Sequence, residues 1–454
     1  MTAGAAHAGH RAPGGRPLLT VEEARDQVLA AIPGPTPAES VPLHDALWRV
    51  AAAPITARVT LPPWDNSAMD GYALRAADVA GASEAHPVRL AVVGEAAAGR
   101  AATAAVAPGT AVRIATGAPL PAGADAVIPV ELTTPVDAAG APGARGRDAA
   151  GPLPTACLVH EPVPVGGSIR QAGSDLLAGS TILEAGVVLT PAAIALVAGS
   201  GHGTVRVHRR PRIAVLATGD EVRAPDEPLG ASGIPDANGP GLCAYVRAAG
   251  GDPIDLGIAP DQLPAVIERL QAGLAAGADA LLVAGGVSVG PYDVVKSAFE
   301  AIGHVDLWKV AVQPGKPFAF GLVRVPDGRV APLLFGLPGN PVSSAVTFEL
   351  FVRPAIRRLS GRSALVRPTD RGVLREPVAK SAGRRAYLRV LVERDAQGLP
   401  VRDASGRLGL VLAGGQGSHV LTALAAAEAL AIIPESTDRL PAGATVDLWW
   451  LDQA

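Results

Sequence analysis

The sequence predicts a multidomain α/β plus β protein, with a parallel-sheet α/β domain, a helical segment, a β-rich unit and a small C-terminal β domain. Three observations predict it. At about 150 residues per domain, 454 residues make roughly three domains. Between Arg212 and Leu359, short apolar runs alternate with helical stretches, the pattern of a parallel sheet with helices on both faces. After Gly361 the helices stop, and short strands between turns fill the rest.

Met1–Arg16 is rich in Gly, Ala and His and has no apolar core, which predicts a flexible, disordered tail over residues 1–16 and no secretory signal. Thr20 is placed to cap a helix over Val21–Ile32, and a second short helix is expected around Asp45–Val50. Between Thr60 and Pro164, stretches such as Val88–Val93 and Ala111–Ile114 sit between Gly and Pro turns and predict strands. Residues 135–154 form a low-complexity Ala/Gly/Pro loop. Within 173–207 a further strand precedes a helix over Thr190–Ala198, with Pro191 at its first position.

In the α/β stretch, strands are expected at Arg212–Ala217, Asp252–Gly257, Asp279–Ala284, Val305–Val312, Pro317–Val323 and Pro332–Leu337. Helices are expected at Leu242–Ala248, Leu263–Ala275, Pro291–Ile302 and, as one long element, Pro341–Leu359. Ligands in such folds sit at the carboxyl ends of the strands. Three loops fall there: Thr218–Glu221, Gly285–Gly290 and Leu337–Pro341. The terminal domain has strands near Val373, at Tyr387–Val392, Leu408–Leu412, Ala429–Ile433 and Thr445–Trp450.

Composition removes several function classes. A net charge of −3 leaves no global basic surface, so no nucleic-acid partner is expected. No apolar run approaches the roughly 18 residues of a membrane span, so no membrane partner is expected and a cytoplasmic location is the default. With 53 Gly and 42 Pro the chain is loop-rich, but 48% apolar content supports folded cores. Cys157 and Cys243 lie far apart, and the nine histidines show no paired ligand spacing, which disfavours a zinc enzyme. The Walker string is missing, and Gly199-Ser-Gly-His-Gly203 is not the dinucleotide fingerprint.

Several strings carry candidate chemistry. Leu337-Pro-Gly-Asn-Pro341 follows a strand and opens a helix; Asn340 is able to cap, and the free N–H groups beyond Pro341 suit an anion. A plain capped helix explains the same string. Gly285-Gly-Val-Ser-Val-Gly290 lets backbone amides approach a phosphate or a pterin-like ring. It also fits the serine-hydrolase elbow, but only His304 and His419 follow it and no oxyanion loop precedes it. Lys309 and Lys316 flank the rigid Gln313-Pro-Gly315 turn and are able to hold an oxyanion, or are plain solvated lysines. Trp64-Asp-Asn-Ser-Ala-Met-Asp-Gly-Tyr72 presents two acids in one loop, for a metal or as an Asp-Gly turn. Asp220, Glu221, Asp236 and Asp261 lie beside strand ends, where carboxylates near phosphates suit Mg²⁺, though each alone also suits a helix cap.

Together these strings resemble one family, the molybdopterin molybdenumtransferases, which finish molybdenum cofactor synthesis. The matching pieces are Asp65-Asn-Ser-Ala-Met-Asp-Gly-Tyr-Ala73, Thr116-Gly-Ala-Pro119, Thr218-Gly-Asp-Glu221, Gly285-Gly-Val-Ser-Val-Gly290, Pro314-Gly-Lys-Pro-Phe-Ala-Phe320, Gly336-Leu-Pro-Gly-Asn-Pro-Val-Ser343 and Gly417-Ser-His419. They occur in family order over about 17–450.

The resemblance implies a discontinuous helical segment (17–58 and 165–207), an inserted β-rich domain (59–164), a molybdopterin-binding α/β domain (208–362) and a C-terminal β-barrel (366–454). It implies a homodimer whose active site joins the α/β domain of one protomer to the inserted domain of the other. The substrates would be adenylylated molybdopterin and molybdate, the products the cofactor and AMP, and the cofactor ion Mg²⁺. By the match, Asp70, Asp236 and Asp261 are catalytic, the last two holding Mg²⁺. Thr116 joins Asp70 from the inserted domain, and Asp175 matches a functional acid. Thr218, Gly219, Asp220, Glu221, Gly285, Gly286 and Ser288 line the substrate, and Pro338 and Pro341 shape the pterin loop. Lys309, Lys316, Ser343, Arg389 and Ser418 line the anion path.

Four positions depart from the family pattern. Gln313 stands where many members have Lys, which removes one charge on the molybdate side. Asp236-Ala237-Asn238 lacks the usual hydroxyl residue at its centre, Thr204 replaces an acid of some members, and Trp64 replaces Phe. Two other activities share parts of this pattern: a molybdopterin adenylyltransferase, which has the same α/β domain, and a non-catalytic molybdopterin-binding scaffold.

Overall fold

The structure, a computed structural model, describes residues 18–146, 151–286, 294–326 and 329–451. Helix α1 (Val21–Ala30) starts at a capping box in which the Thr20 hydroxyl accepts from the Glu23 amide and the Glu23 carboxylate accepts from the Thr20 amide. Its buried face, Val21, Ala24 and Val28, packs into the core of the α/β unit. The second helix expected at Asp45–Val50 is absent. A single 3₁₀ turn, Leu43–Asp45, is followed by Trp48 at φ +62°, a conformation that cannot continue a helix. Tertiary pairing overrides the local preference here: Trp48 N–H donates to Leu189 O at 2.9 Å, and Val50 and Ala51 bridge to Val188 and Val207.

Chain segments far apart in sequence meet in this region. Ala38–Pro42 runs antiparallel to Thr204–His208, and Ile55–Thr56 to Thr181–Leu183. Helix α2 (Pro191–Gly199), capped by the Thr190 hydroxyl, closes a small core with Ala51, Ile55, Leu189 and Val207. Between these segments stands a sheet ordered Ala126–Pro129, Gly71–Leu74, Thr110–Ile114, Val88–Ala96, Ala156–Val159, Thr133–Val136. Gly71 is fixed by crowding: a Cβ there would sit 1.9 Å from the Ile128 carbonyl oxygen.

The α/β unit holds a sheet ordered Asp252–Ala259, Arg212–Thr218, Ala280–Ala284, Leu333–Leu337, Pro317–Val323, Gly303–Lys309. The first four strands are parallel, as the alternation predicts. The last two add as an antiparallel extension, because a short link joins them where a parallel pair needs a crossover. Helices α3 (Asn238–Ala249), α4 (Leu263–Ala275), α5 (Val294–Ile302) and α6 (Pro341–Thr347) cover its two faces and build two separate cores. The long helix expected over Pro341–Leu359 runs continuously but widens into a π turn at Phe348–Val352 before α7 (Arg353–Leu359). Pro354 lacks an amide and would press on the carbonyl one turn back, and the wider turn relieves both.

The C-terminal strands close into a five-strand barrel: Arg385–Val392, Leu408–Leu412, Thr369–Leu374, Thr445–Trp450, Ala429–Ile433 and back to Arg385–Val392. One short helix, α8 (Leu421–Ala426), interrupts it, contrary to the expectation that helices end at Gly361. Among the described residues, no helix is long and apolar enough to cross a membrane.

Candidate functional site

Parallel register puts three strand ends side by side: Ala217, Ala284 and Leu337 pair across the sheet. The chain then turns at Thr218–Glu221, Gly285–Gly286 and Pro338–Pro341, so three loops expected to bind ligand share one edge. They are held close by their glycines. Gly285 sits at φ +108°, its amide donates to Leu337 O at 3.1 Å, and a Cβ on it would lie 2.6 Å from both the carbonyl and hydroxyl oxygens of Thr218. Gly286 sits at φ +60°, with Val295 where its Cβ would be. Ser288 lies outside the described residues.

We expect Gly285→Ala to cost on the order of 1–3 kcal/mol from the left-handed backbone and the clash. The same change should displace Thr218 and weaken ligand binding at this edge. Thermal unfolding together with substrate affinity measures both; a variant matching wild type in each would show that the close approach has no role.

Acids gather at the same edge. The Asp261 amide donates to Asp220 Oδ1 at 3.1 Å, and the Asp261 carboxyl is pushed above its ordinary value by burial and by the charges of Asp220 and Glu221. The folded chain therefore binds more protons than the unfolded chain between the ordinary and the raised value. Stability from this site is full below that window and falls as pH rises through it. Asp261→Asn should flatten this part of the stability–pH curve of the metal-free protein and raise its unfolding midpoint slightly at neutral pH; a lower midpoint at neutral pH would contradict the crowding.

Asp236 has a second task. Its Oδ1 accepts from the Asn238 and Gly239 amides, each at 2.9 Å, and so caps α3. Asn238 ties α3 to the Pro338–Pro341 loop by donating from Nδ2 to Gly339 O at 2.7 Å. No group of three possible ligands surrounds one point among the described residues. The crowded Asp220, Glu221 and Asp261 do fit Mg²⁺, which takes one or two carboxylates, substrate phosphates and water.

At the end of the same Pro338–Pro341 loop, the expected Asn340 side-chain cap is not formed. The Ser344 hydroxyl instead donates to Pro338 O, and Val342 N–H donates to Ser418 O at 3.2 Å, so the barrel loop occupies part of this helix start. Ser343 is buried beneath it. Lys309 pairs across the sheet with Pro317, next to Lys316 in sequence, and both lysines are exposed, with no acidic partner within 4 Å among the described residues. The intervening turn rests on α6, because Gly315 at φ +106° leaves no room for a Cβ against Thr347. Gln313 Oε1 accepts from the Ser381 amide at 3.4 Å, a bond that the more usual lysine could not make.

Arg389 differs from its expected place on an anion path. Its side chain is fully buried, and its guanidinium donates to the Gly415 and Gly417 carbonyls at 3.2 and 3.1 Å. Gln416 completes the brace with two bonds to the Arg389 backbone, at 2.9 and 3.0 Å. Arg389 therefore supports the loop bearing Ser418. Strand alternation sets Arg389 on the face opposite Ala386, Leu388, Val390 and Val392, which fill the barrel core, so nothing in the sequence marks this arginine as buried.

The inserted sheet contributes a second group. Asp70 Oδ1 accepts from both the amide and the hydroxyl of Thr116, at 2.7 and 2.8 Å, and both residues are exposed. Asp65 Oδ1 anchors the other end of this loop on the Ala172 amide at 2.7 Å. Asp175 is exposed on the neighbouring turn, its amide bonded to Leu61 O at 3.0 Å. Among the described residues, no hydrogen bond or ion pair joins the Asp70–Thr116 group to the strand-end loops of the same chain.

The stretches that carry both groups match known proteins. Residues 19–201 match the MoeA N-terminal region (domain I and II), 214–358 a probable molybdopterin binding domain, and 371–451 the MoeA C-terminal region (domain IV). The chain is 36% identical over 420 residues to molybdopterin molybdenumtransferase 2 of Mycobacterium tuberculosis, covering 90% of this chain and 94% of the relative. It is 33% identical over 432 residues to the molybdopterin molybdenumtransferase of Haemophilus influenzae, covering 95% and 98%. A solved molybdopterin biosynthesis MoeA protein from Pyrococcus horikoshii superposes with a TM-score of 0.73 at 30% identity, over 95% of this chain and 99% of that one. Full-length similarity through all three regions, with the strand-end loops and the Asp70 loop in place, shows that this chain belongs to the molybdopterin molybdenumtransferase family.

Proposed function

We propose that this protein inserts molybdenum from molybdate into adenylylated molybdopterin and releases AMP, yielding the molybdenum cofactor. The observation that carries this reading is the single sheet edge where side-chain-free glycine loops, three crowded acids and two unpaired lysines meet. The glycines give a flat pterin room, and the lysines attract an oxyanion. The reaction pools negative charge from molybdate, the dithiolene and the phosphoanhydride. The chain offsets it with Lys309, Lys316 and backbone amides already fixed in place, which cost no reorganisation when the reaction occurs. Mg²⁺, held by Asp261 and its neighbours, with Asp236 on the helix cap nearby, would supply positive charge to the phosphoanhydride.

Among the described residues, no bond joins Asp70 or Thr116 to this edge within one chain, and the reading includes a homodimer in which a second copy supplies them. A cytoplasmic location goes with the substrates. A stand-alone adenylyltransferase would need the α/β domain only, and the match beyond that domain favours the transferase.

The deciding experiment is AMP release from adenylylated molybdopterin with molybdate, with tungstate and with neither, each with and without Mg²⁺. Oxometalate-dependent and Mg²⁺-dependent release supports the proposal. AMP transfer from ATP onto molybdopterin would point to the adenylyltransferase, and tight pterin binding with no AMP release to a scaffold.

A further inference from the structure

A cavity of about 440 Å³ opens at the edge of the sheet opposite the strand-end loops. Its walls come from residues 48–50, from His208 and Arg210 just before the strand Arg212–Thr218, from the end of α3, and from α7 with the residues that follow it. Arg49, Arg210, Arg247 and Arg353 line it, joined on the α7 side by Arg357, Arg362 and Arg367. Among the described residues, no carboxylate lines it.

Internal acids answer only part of this charge. Glu349 takes Arg367 at 2.8 Å and lies 3.6 Å from Arg353, and Glu39 takes Arg49. Arg357 and Arg362 donate to carbonyls, those of Ala364 and Trp48, at 2.5 and 2.7 Å. Arg210 and Arg247 have no side-chain hydrogen bond to another residue and no acidic partner among the described residues. The buried Nε atoms of Arg49, Arg353 and Arg362 have no hydrogen-bond partner there either. Burial and the surrounding guanidinium charges push Arg353 and Arg357 down to about 10. Cations held this close repel one another, and a bound anion relieves that repulsion. Guanidinium forks match phosphate oxygens in pairs, and the cavity is larger than one phosphate requires.

We propose that this arginine-lined cavity is a second anion site, which binds a compact polyphosphate at the sheet edge opposite the candidate active site. The ligand chemistry is shared by inorganic tripolyphosphate and by the phosphate tail of a nucleoside triphosphate. The inference stands on residues that the proposed transferase reading does not use, so the two succeed or fail separately.

The test is calorimetric titration of the full-length protein at low salt with tripolyphosphate and with ATP. Saturable binding of either is expected in wild type and in Lys316→Ala, which removes a cation from the other edge. Tighter binding of ATP would identify a nucleotide ligand, and equal or tighter binding of tripolyphosphate an inorganic one. Arg210→Gln combined with Arg247→Gln removes two arginines whose side chains bond no other residue among those described. This variant should keep its unfolding midpoint and lose at least about ten-fold in affinity, the scale of one charged hydrogen bond. Absence of saturable binding in wild type, undiminished affinity in the double variant, or loss of binding in Lys316→Ala would overturn the proposal. Loss of self-association in the double variant, without polyphosphate binding by wild type, would overturn it too and make these arginines part of a subunit interface.

Discussion

Asp70→Ala should lower AMP release by at least about a hundred-fold, the scale of removing one group aimed at developing charge. The effect on folding should be small. Asp70 is exposed, and its carboxylate holds only the Thr116 amide and hydroxyl. Losing those bonds at a solvated site costs roughly 0.5–1.5 kcal/mol each at most. Asp70→Asn separates the two roles of the residue. It keeps an oxygen for Thr116 and removes the charge, so it should restore loop order without restoring turnover. Near-wild-type turnover in the Asn variant would leave Asp70 a loop anchor and nothing more.

The same variant tests the shared site. Co-expression of Asp70→Ala with Lys316→Ala places one intact site in each mixed dimer, because the two lesions fall on different sides of the interface. With random pairing, turnover should recover to about a quarter of wild type. If the mixture stays as inactive as either parent, Asp70 and Lys316 act within one chain.

Glu349→Ala should be the most destabilising single change outside the glycine turns. Glu349 is 3% exposed and bonds Arg367 through both carboxylate oxygens, at 2.8 and 2.9 Å. It joins the π turn before α7 to the linker that enters the barrel, and Arg353 depends on it as well. Removing it strands two buried cations, a loss of about 3–5 kcal/mol. Glu349→Gln keeps the volume and some hydrogen bonds and should fall between. Urea unfolding followed by tryptophan fluorescence reads both variants. A midpoint for Glu349→Ala within error of wild type would mean that water reaches these arginines and replaces the carboxylate.

Much of the fold was legible in sequence because it rests on local rules. The Thr20 and Thr190 caps, the apolar runs at 212–217 and 279–284 and the helix over Leu263–Ala275 each follow from a few neighbouring residues. That Ala217, Ala284 and Leu337 end at one side of the sheet was legible as well, since parallel alternation fixes which way the strands run. Local rules failed where distant pairing decided the backbone. Residues 45–50 lost their helix to pairing with Val188, Leu189 and His208, and the antiparallel extension of the sheet followed from a link too short for a crossover.

The sequence by itself determined the family pattern, the order of the units and the residue types at the candidate site. Only the tertiary structure decided what those side chains hold. It turned Asp236 toward the start of α3, buried Arg389 as a brace under the Ser418 loop, and gathered arginines from four stretches of chain around one cavity. The reason is physical: hydrogen-bond partners and charge crowding depend on which distant segments pack together, and residue spacing along the chain carries no record of that.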